Sequence, residues 1–483
     1  MNKETRSLPG AVDERNRNVV ILGAGLAGLA AGRLLSESGA RVTVVEREST
    51  VGGLSRTVEH RGFRFDLGGH RFFTENKKIE DFVKDALGGD MLDVHRSSKV
   101  LIDGAYFDYP WRPANALLHL GTRRAAAILF DFLAERVRRR FRKTEIISLE
   151  DWIVDRFGRT FFDIFVEEYS EKVWGVECSR ISKDWAERRI EGLSFGIAVR
   201  DALFGQHGAK ARTLIRKFLY PPLGIGRIAE CLRWKIDENN SVLTGTTAVR
   251  INHSAARIDG VATRTGDQTT FRPVAELVSS VPLPALARLM NPAPPADVLE
   301  AVSRLRFRDL VIVTLMIDRE RVTDQTWIYA PQRGIPFGRL HEPTNWSARM
   351  APEGKTLLVT EHFCFRGDDV WTAADKALVE ATVASLEGLD LIERREVIDS
   401  VVLRIPNAYP VFDIGYNRNC GIIRDYFEEF GNLRLIGRGG QFRYFNMDHA
   451  IESGIAAAEE IIAGNPEWRS GGRRAPASAA ADQ

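Results

Sequence analysis

Residues 19–57, VVILGAGLAGLAAGRLLSESGARVTVVERESTVGGLSRT, restrict what this chain can fold into more than any other stretch. An apolar run at 19–22 leads into Gly23-Ala24-Gly25-Leu26-Ala27-Gly28. A helical pattern follows, and a second apolar run at 41–45 delivers Glu46. That order predicts strand, glycine turn, helix and strand, the unit that sets a pyrophosphate on a helix N-terminus. Gly23 allows the tight turn, Gly25 lets backbone approach phosphate, and Gly28 lets the helix close on the strand. Glu46 stands at the usual distance to accept hydrogen bonds from a ribose hydroxyl. An acid there, rather than a base, argues against a 2′-phosphate and so against NADP at this site.

The 483 residues suffice for two or three packed domains. With 44% hydrophobic and 27% charged residues the composition is that of a soluble globular protein, and a net charge of +2 gives no field that implies a nucleic-acid partner. Cys178, Cys231, Cys364 and Cys420 are far apart and form no CxxC pair. This argues against a zinc site or a disulfide framework, so no metal is expected, and it fits a reducing cytoplasm. No apolar run reaches the length that crosses a bilayer, and the first residues lack the apolar segment of a secretory signal. Residues 1–17 read as a disordered leader and 464–483, rich in Gly, Ala, Ser, Pro and Arg, as a disordered tail.

Residues 122–143 carry a helical pattern with Leu129, Phe130, Phe132, Leu133, Val137 and Phe141 on the apolar side. Arg136, Arg138, Arg139, Arg140, Arg142 and Lys143 crowd its end. Cations suit a helix C-terminus, which gives a solvated helix end. The same run suits peripheral contact with an anionic membrane.

Beyond Glu46 a second glycine pair, Gly52-Gly53, is followed by Leu54. It resembles the FAD-binding signature of the amine-oxidase and protoporphyrinogen-oxidase superfamily, which makes FAD the expected cofactor. Asp66-Leu67-Gly68-Gly69-His70 resembles the matching block of UDP-galactopyranose mutases, which implies that Gly69 and His70 lie at the flavin. Tyr109-Pro110-Trp111-Arg112 is similar to the block lining that family's nucleotide pocket, with Arg112 in place of an amide. A guanidinium there suits an extra phosphate or carboxylate as well as a plain surface charge.

The likeness is closest at residues 151–189. An acid-Trp-Ile-Val opening leads to Tyr169-Ser170-Glu171-Lys172-Val173-Trp174 and then to Trp185-Ala186-Glu187-Arg188-Arg189. The resemblance implies that Trp174 lies beside the sugar, that Ser170 replaces an asparagine contact, and that Arg189 is one of two arginines on the sugar diphosphate. Arg339, ten residues after Tyr329, falls on the second arginine, and Tyr409 and Tyr444 fall on family tyrosines. Gly437 opens a glycine turn before the last helix, and Asn446 and Asp448 stand where the family has flavin contacts. Arginine forks and phenol hydroxyls are what a diphosphate needs.

These blocks run in the family's order over most of the chain. They imply an α/β fold: a Rossmann-type (GR2-like) FAD-binding domain, an inserted helical domain and a mixed β-sheet substrate domain. The expected division is FAD-binding at 18–100, helical at 101–215, FAD-binding again at 216–290, sheet domain at 291–430, and the C-terminal FAD helix at 431–463. The implied activity is interconversion of pyranose and furanose forms of a nucleotide sugar, with N5 of reduced FAD attacking the anomeric carbon. It requires the nucleotide-sugar substrate and an external reductant, NAD(P)H or a reductase. The alternative is an FAD-dependent oxidoreductase, like protoporphyrinogen or amine oxidases, acting on a small biosynthetic intermediate.

Overall fold

The computed structural model describes residues 17–109, 113–141, 145–189 and 217–465, with the side chains of 113–120 and 188–189 left aside. The expected strand–turn–helix–strand unit forms as Asn18–Leu22, Leu26–Glu37 and Arg41–Val45. Alternating exposure is absent from the first strand because both of its faces are covered. Val19 and Ile21 are as fully enclosed as Val20 and Leu22, the signature of a parallel sheet. Asn18–Leu22 pairs in parallel with Arg41–Val45 on one side and Glu276–Ser279 on the other. Leu433–Leu435 and Ser241–Leu243 complete a five-stranded sheet at its two edges. The sheet therefore gathers strands from the beginning, middle and end of the chain.

Residues 242–249 read as one strand in sequence, but Gly245, at φ +62°, turns the backbone between two. Ser241–Leu243 stays in the parallel sheet. Thr246–Ser254 crosses into a four-stranded sheet with Arg257–Thr265, Gln268–Pro273 and Met290–Asn291.

A seven-stranded sheet has Phe307–Ile317 near one edge, between Val397–Pro410 and Thr356–Cys364. Beyond these lie Arg339–His341, Trp327–Tyr329, and the hairpin Ser98–Ile102/Ala105–Asp108. The hairpin thus straddles the expected boundary at residue 100 and extends the seven-stranded sheet. Its parallel pairing with Trp327–Tyr329 brings Tyr109, just past the hairpin, towards Tyr329.

Five helices form a layer beside this sheet: Pro113–Arg139, Leu149–Phe157, Arg159–Phe165, Glu167–Trp174 and Lys183–Arg189. The second begins at a side-chain cap. Ser148 Oγ accepts the Asp151 amide (3.0 Å), and the Asp151 carboxylate accepts the Ser148 amide (3.1 Å), a reciprocal capping box. Gly121, at φ +74°, breaks the first helix. Its orientation departs from expectation. Ile128 and Glu135 are buried, whereas Leu129, Phe130, Leu133 and Val137 face outwards. Contact with Leu149–Phe157 and Arg159–Phe165 covers the face of Ile128 and Glu135 instead.

Candidate active site

The glycine turn has the geometry of a phosphate cradle. A Cβ on Gly28 would stand 2.0 Å from the Gly23 carbonyl oxygen, so only glycine lets the helix start this close to the strand. No described atom lies within 4 Å of where a Gly25 Cβ would be, which leaves open space above the helix N-terminus. Gly52 donates its amide to the Ala24 carbonyl (2.8 Å), which brings Gly52, Gly53 and Leu54 against the turn. Glu46 is buried, and its carboxylate accepts the Ala24 amide (2.8 Å) and the Glu48 amide (3.0 Å). Gly437 reaches the same turn beside Ala27. The last helix, Met447–Gly464, starts at Asn446, whose side chain makes no cap hydrogen bond and leaves first-turn amides unclaimed by it. Burial raises the pKa of Asp448 in that first turn. Two helix N-termini, an acid at the end of the second strand and an open glycine cradle fit a dinucleotide such as FAD.

The second group lies on the other side of the Asp66–His70 loop. A Cβ on Gly69 would meet the Trp327 ring at 2.1 Å, so glycine lets this loop lie flat on the indole. The Gly69 amide donates to Glu361 Oε1 (3.0 Å), and Glu361 Oε2 accepts from Arg339 Nη1 (3.0 Å). Arg339 Nη1 also donates to the Tyr409 hydroxyl (3.3 Å), and its Nε donates to the Tyr169 hydroxyl (3.0 Å). Nη2 makes no hydrogen bond among the described residues. The guanidinium is therefore fixed on two of its nitrogens with a third left to act.

Aromatic rings wall the space. Tyr329 packs against Tyr169 (5.7 Å between centroids) and Tyr109 (5.2 Å). Tyr409 stacks on Tyr444 at 6.1 Å, and Trp174 meets both edge-on at 6.4 and 6.3 Å. Trp185 packs against Trp174 at 5.3 Å. Arg438 lies over both tyrosine rings while donating to the carbonyls of Phe445 and Ala408. Burial, helped by the charges of Arg438 and Arg339, lowers the His70 pKa to about 4, so the imidazole is neutral at pH 7. Burial likewise raises the phenols of Tyr169 and Tyr409. Burial works against the charge of Arg339, but the neighbouring Tyr169, Glu361, Tyr409 and Tyr444 outweigh it and keep the guanidinium protonated.

The structure thus gathers His70, Gly69, Tyr109, Trp174, Tyr329, Arg339, Tyr409 and Tyr444. Ser170 is buried on Glu167–Trp174, where its amide donates to the Val166 carbonyl (2.9 Å). Trp111 and Arg112 lie outside the described residues, as does the Arg189 side chain, although Arg189 closes the helix that carries Trp185. Four contributors were missed. Tyr169 stood unused inside the quoted block, and Glu361 is a lone carboxylate in the otherwise largely apolar strand Thr356–Cys364. Arg438 follows Gly437, and Trp327 opens the strand of Tyr329.

Lys172 fixes the segment between Tyr329 and Arg339. Its Nζ donates to the carbonyls of Ala330 (2.8 Å), Gln332 (2.7 Å) and Ile335 (2.8 Å). The segment is thereby tied to the helix that carries Tyr169 and Trp174. Burial lowers the Lys172 pKa to about 8.

Residues 26–462 match the flavin containing amine oxidoreductase family, and the chain belongs to it. It is accordingly an FAD-dependent flavoenzyme of that superfamily with the fold of UDP-galactopyranose mutases. The crystal structure of a reduced UDP-galactopyranose mutase superposes with a TM-score of 0.80 at 23% identity, over 94% of this chain and 98% of that one. A probable UDP-galactopyranose mutase of Klebsiella pneumoniae is 25% identical over 174 residues, 34% of this chain and 43% of that protein. Phytoene dehydrogenase of Streptomyces griseus is 52% identical over 62 residues, but the match covers 13% of this chain and only 11% of that protein's length.

Proposed function

We propose that this flavoenzyme interconverts the pyranose and furanose ring forms of a nucleotide sugar. The observation that carries the reading is the buried guanidinium of Arg339, held by Glu361, Tyr169 and Tyr409 with Nη2 uncommitted. Such a preset donor edge, among phenol hydroxyls, suits a phosphate oxygen better than an amine or a hydrocarbon. Reduced FAD, when bound, supplies the nucleophile for the anomeric carbon.

In this reading Arg339 binds the diphosphate as it leaves, and Tyr329, Tyr409 and Tyr444 complete its hydrogen bonds. Arg189 adds the second cation. Holding the leaving group within reach makes its return effectively unimolecular. Trp174, Tyr409 and Tyr444 form an aromatic wall that orients the sugar and excludes water. His70 stays neutral and offers a hydrogen bond at the flavin without adding charge. NAD(P)H or a reductase keeps the cofactor reduced.

Oxidation of a small molecule by hydride transfer is the second reading. It is favoured by the family match to amine oxidoreductases and by the dehydrogenase relative. One anaerobic experiment separates the two. Dithionite-reduced protein is mixed with a panel of nucleotide sugars, and the products are resolved by anion-exchange chromatography and NMR. A ring isomer formed only by reduced protein, and lost in Arg339→Ala with FAD still bound, supports the mutase. No isomer across the panel, with flavin bleaching by an amine or hydrocarbon donor, replaces it with the oxidoreductase.

A further inference from the structure

Past Gly121, the helix Pro113–Arg139 has an inner and an outer face. The inner one holds buried Ile128 and Glu135, with the Asp131 carboxylate accepting the Thr160 amide at 2.7 Å. The outer one carries Ala126, Phe130, Leu133 and Val137, spaced three or four residues apart, with Leu129 beside them and Phe141 just beyond. This spacing lines a single stripe along a helix. Phe130 is 75%, Leu133 53%, Val137 60% and Phe141 83% exposed. An exposed stripe of large apolar side chains marks an interaction surface.

The charges around the stripe are of one sign. Arg123, Arg124, Arg136, Arg138, Arg139 and Arg140 are all exposed, whereas both carboxylates of this segment, Asp131 and Glu135, belong to the inner face. Arg124, Arg138 and Arg139 approach Asp103, Glu135 and Asp155 at 3.1 to 3.3 Å. Among the described residues, Arg123, Arg136 and Arg140 make no ion pair, and Arg136 lies over the Phe132 ring. No helix of the described residues is long and apolar enough to cross a membrane.

We propose that this face seats the protein on the surface of an anionic lipid bilayer. The helix lies in the headgroup plane, Phe130, Leu133, Val137 and Phe141 enter the acyl boundary, and the arginines meet lipid phosphates. A second copy of the chain fits less well, since it would bring two arginine clusters together. A nucleic acid would satisfy the guanidinium groups and leave the apolar stripe in water. A lipid surface satisfies both. The inference stands apart from the catalytic reading, because none of these side chains belongs to the pocket.

The test is flotation of the FAD-loaded full chain with phosphatidylcholine vesicles, with and without one-third phosphatidylglycerol. Wild type is expected to float with the anionic vesicles only, and less so at high salt. Phe130→Ser/Leu133→Ser and Arg136→Glu/Arg140→Glu should each weaken partitioning by about tenfold or more. Flavin absorbance checks that both variants remain folded. Failure of wild type to float, or flotation unaffected by either variant, overturns the proposal. So does a dimer, detected by light scattering, that Phe130→Ser/Leu133→Ser dissociates, since the stripe would then be covered by a second copy.

Discussion

Replacing Arg339 by methionine asks what holds the candidate pocket together. Arg339 and Glu361 are 3.0 Å apart, with side-chain exposures of 14% and 1%. Methionine fills most of the volume but leaves a carboxylate buried without its counter-charge, and the Gly69 amide remains its backbone partner at 3.0 Å. Breaking a buried pair on one side costs about 3–5 kcal/mol. Glu361→Gln added to Arg339→Met removes the stranded charge and keeps an oxygen for the Gly69 amide. The double variant should therefore recover most of the loss, a coupling of about 2–3 kcal/mol, at the upper end of the roughly 0.5–3 kcal/mol range of contacting residues. The assay is urea unfolding followed by tryptophan fluorescence, with FAD in excess so that linked cofactor binding is equal for all proteins. Arg339→Met within about 1 kcal/mol of wild type, or a double variant as unstable as the single one, would refute the reasoning.

Acid should destabilise the fold through its buried histidines. Burial lowers His341 to about 3 and His362 to about 4, alongside His70 at about 4. Each folded pKa lies below the unfolded value, so the stability each contributes is complete above about pH 6.5 and falls as pH drops, by about 2 kcal/mol per group at pH 5. Asp66 acts in the opposite sense. Burial raises it to about 7 despite hydrogen bonds from Thr57, Tyr220 and Ile225, so protonation below pH 7 adds stability. Urea midpoints between pH 7 and 5 should fall, less steeply in His362→Gln and more steeply in Asp66→Asn; a flat profile in all three proteins contradicts this. Gly28→Ala should yield protein lacking FAD, because its methyl group meets the Gly23 carbonyl; an unchanged ratio of flavin to protein absorbance would count against the cradle. Lys172→Met strands three carbonyls and should weaken nucleotide-sugar binding more than FAD binding; calorimetry showing equal losses for both ligands would deny it a positioning role.

Much of this architecture could be read directly because its signals are local. The cradle requires Gly23, Gly25 and Gly28 within one turn and Glu46 at the end of the next strand, and helix and strand periodicity supply the distance between them. The capping box of Ser148 and Asp151 is local in the same way, since its reciprocal hydrogen bonds span three residues. Tyr329, Arg339, Tyr409 and Tyr444 were legible through resemblance to an ordered set of motifs rather than through spacing.

What the sequence by itself determined is therefore the glycine cradle, the order of strands and helices that carries it, and the arginines and tyrosines available to the second group. The tertiary structure decided their partners. Arg339 meets Tyr169 across 170 positions and Tyr409 across 70, and Glu361 faces Arg339 because Thr356–Cys364 runs antiparallel to Arg339–His341. It also chose which face of Pro113–Arg139 is buried. Periodicity states that a helix has an apolar face, but which face is buried depends on the neighbouring surface that packs against the helix, and that surface comes from other parts of the chain.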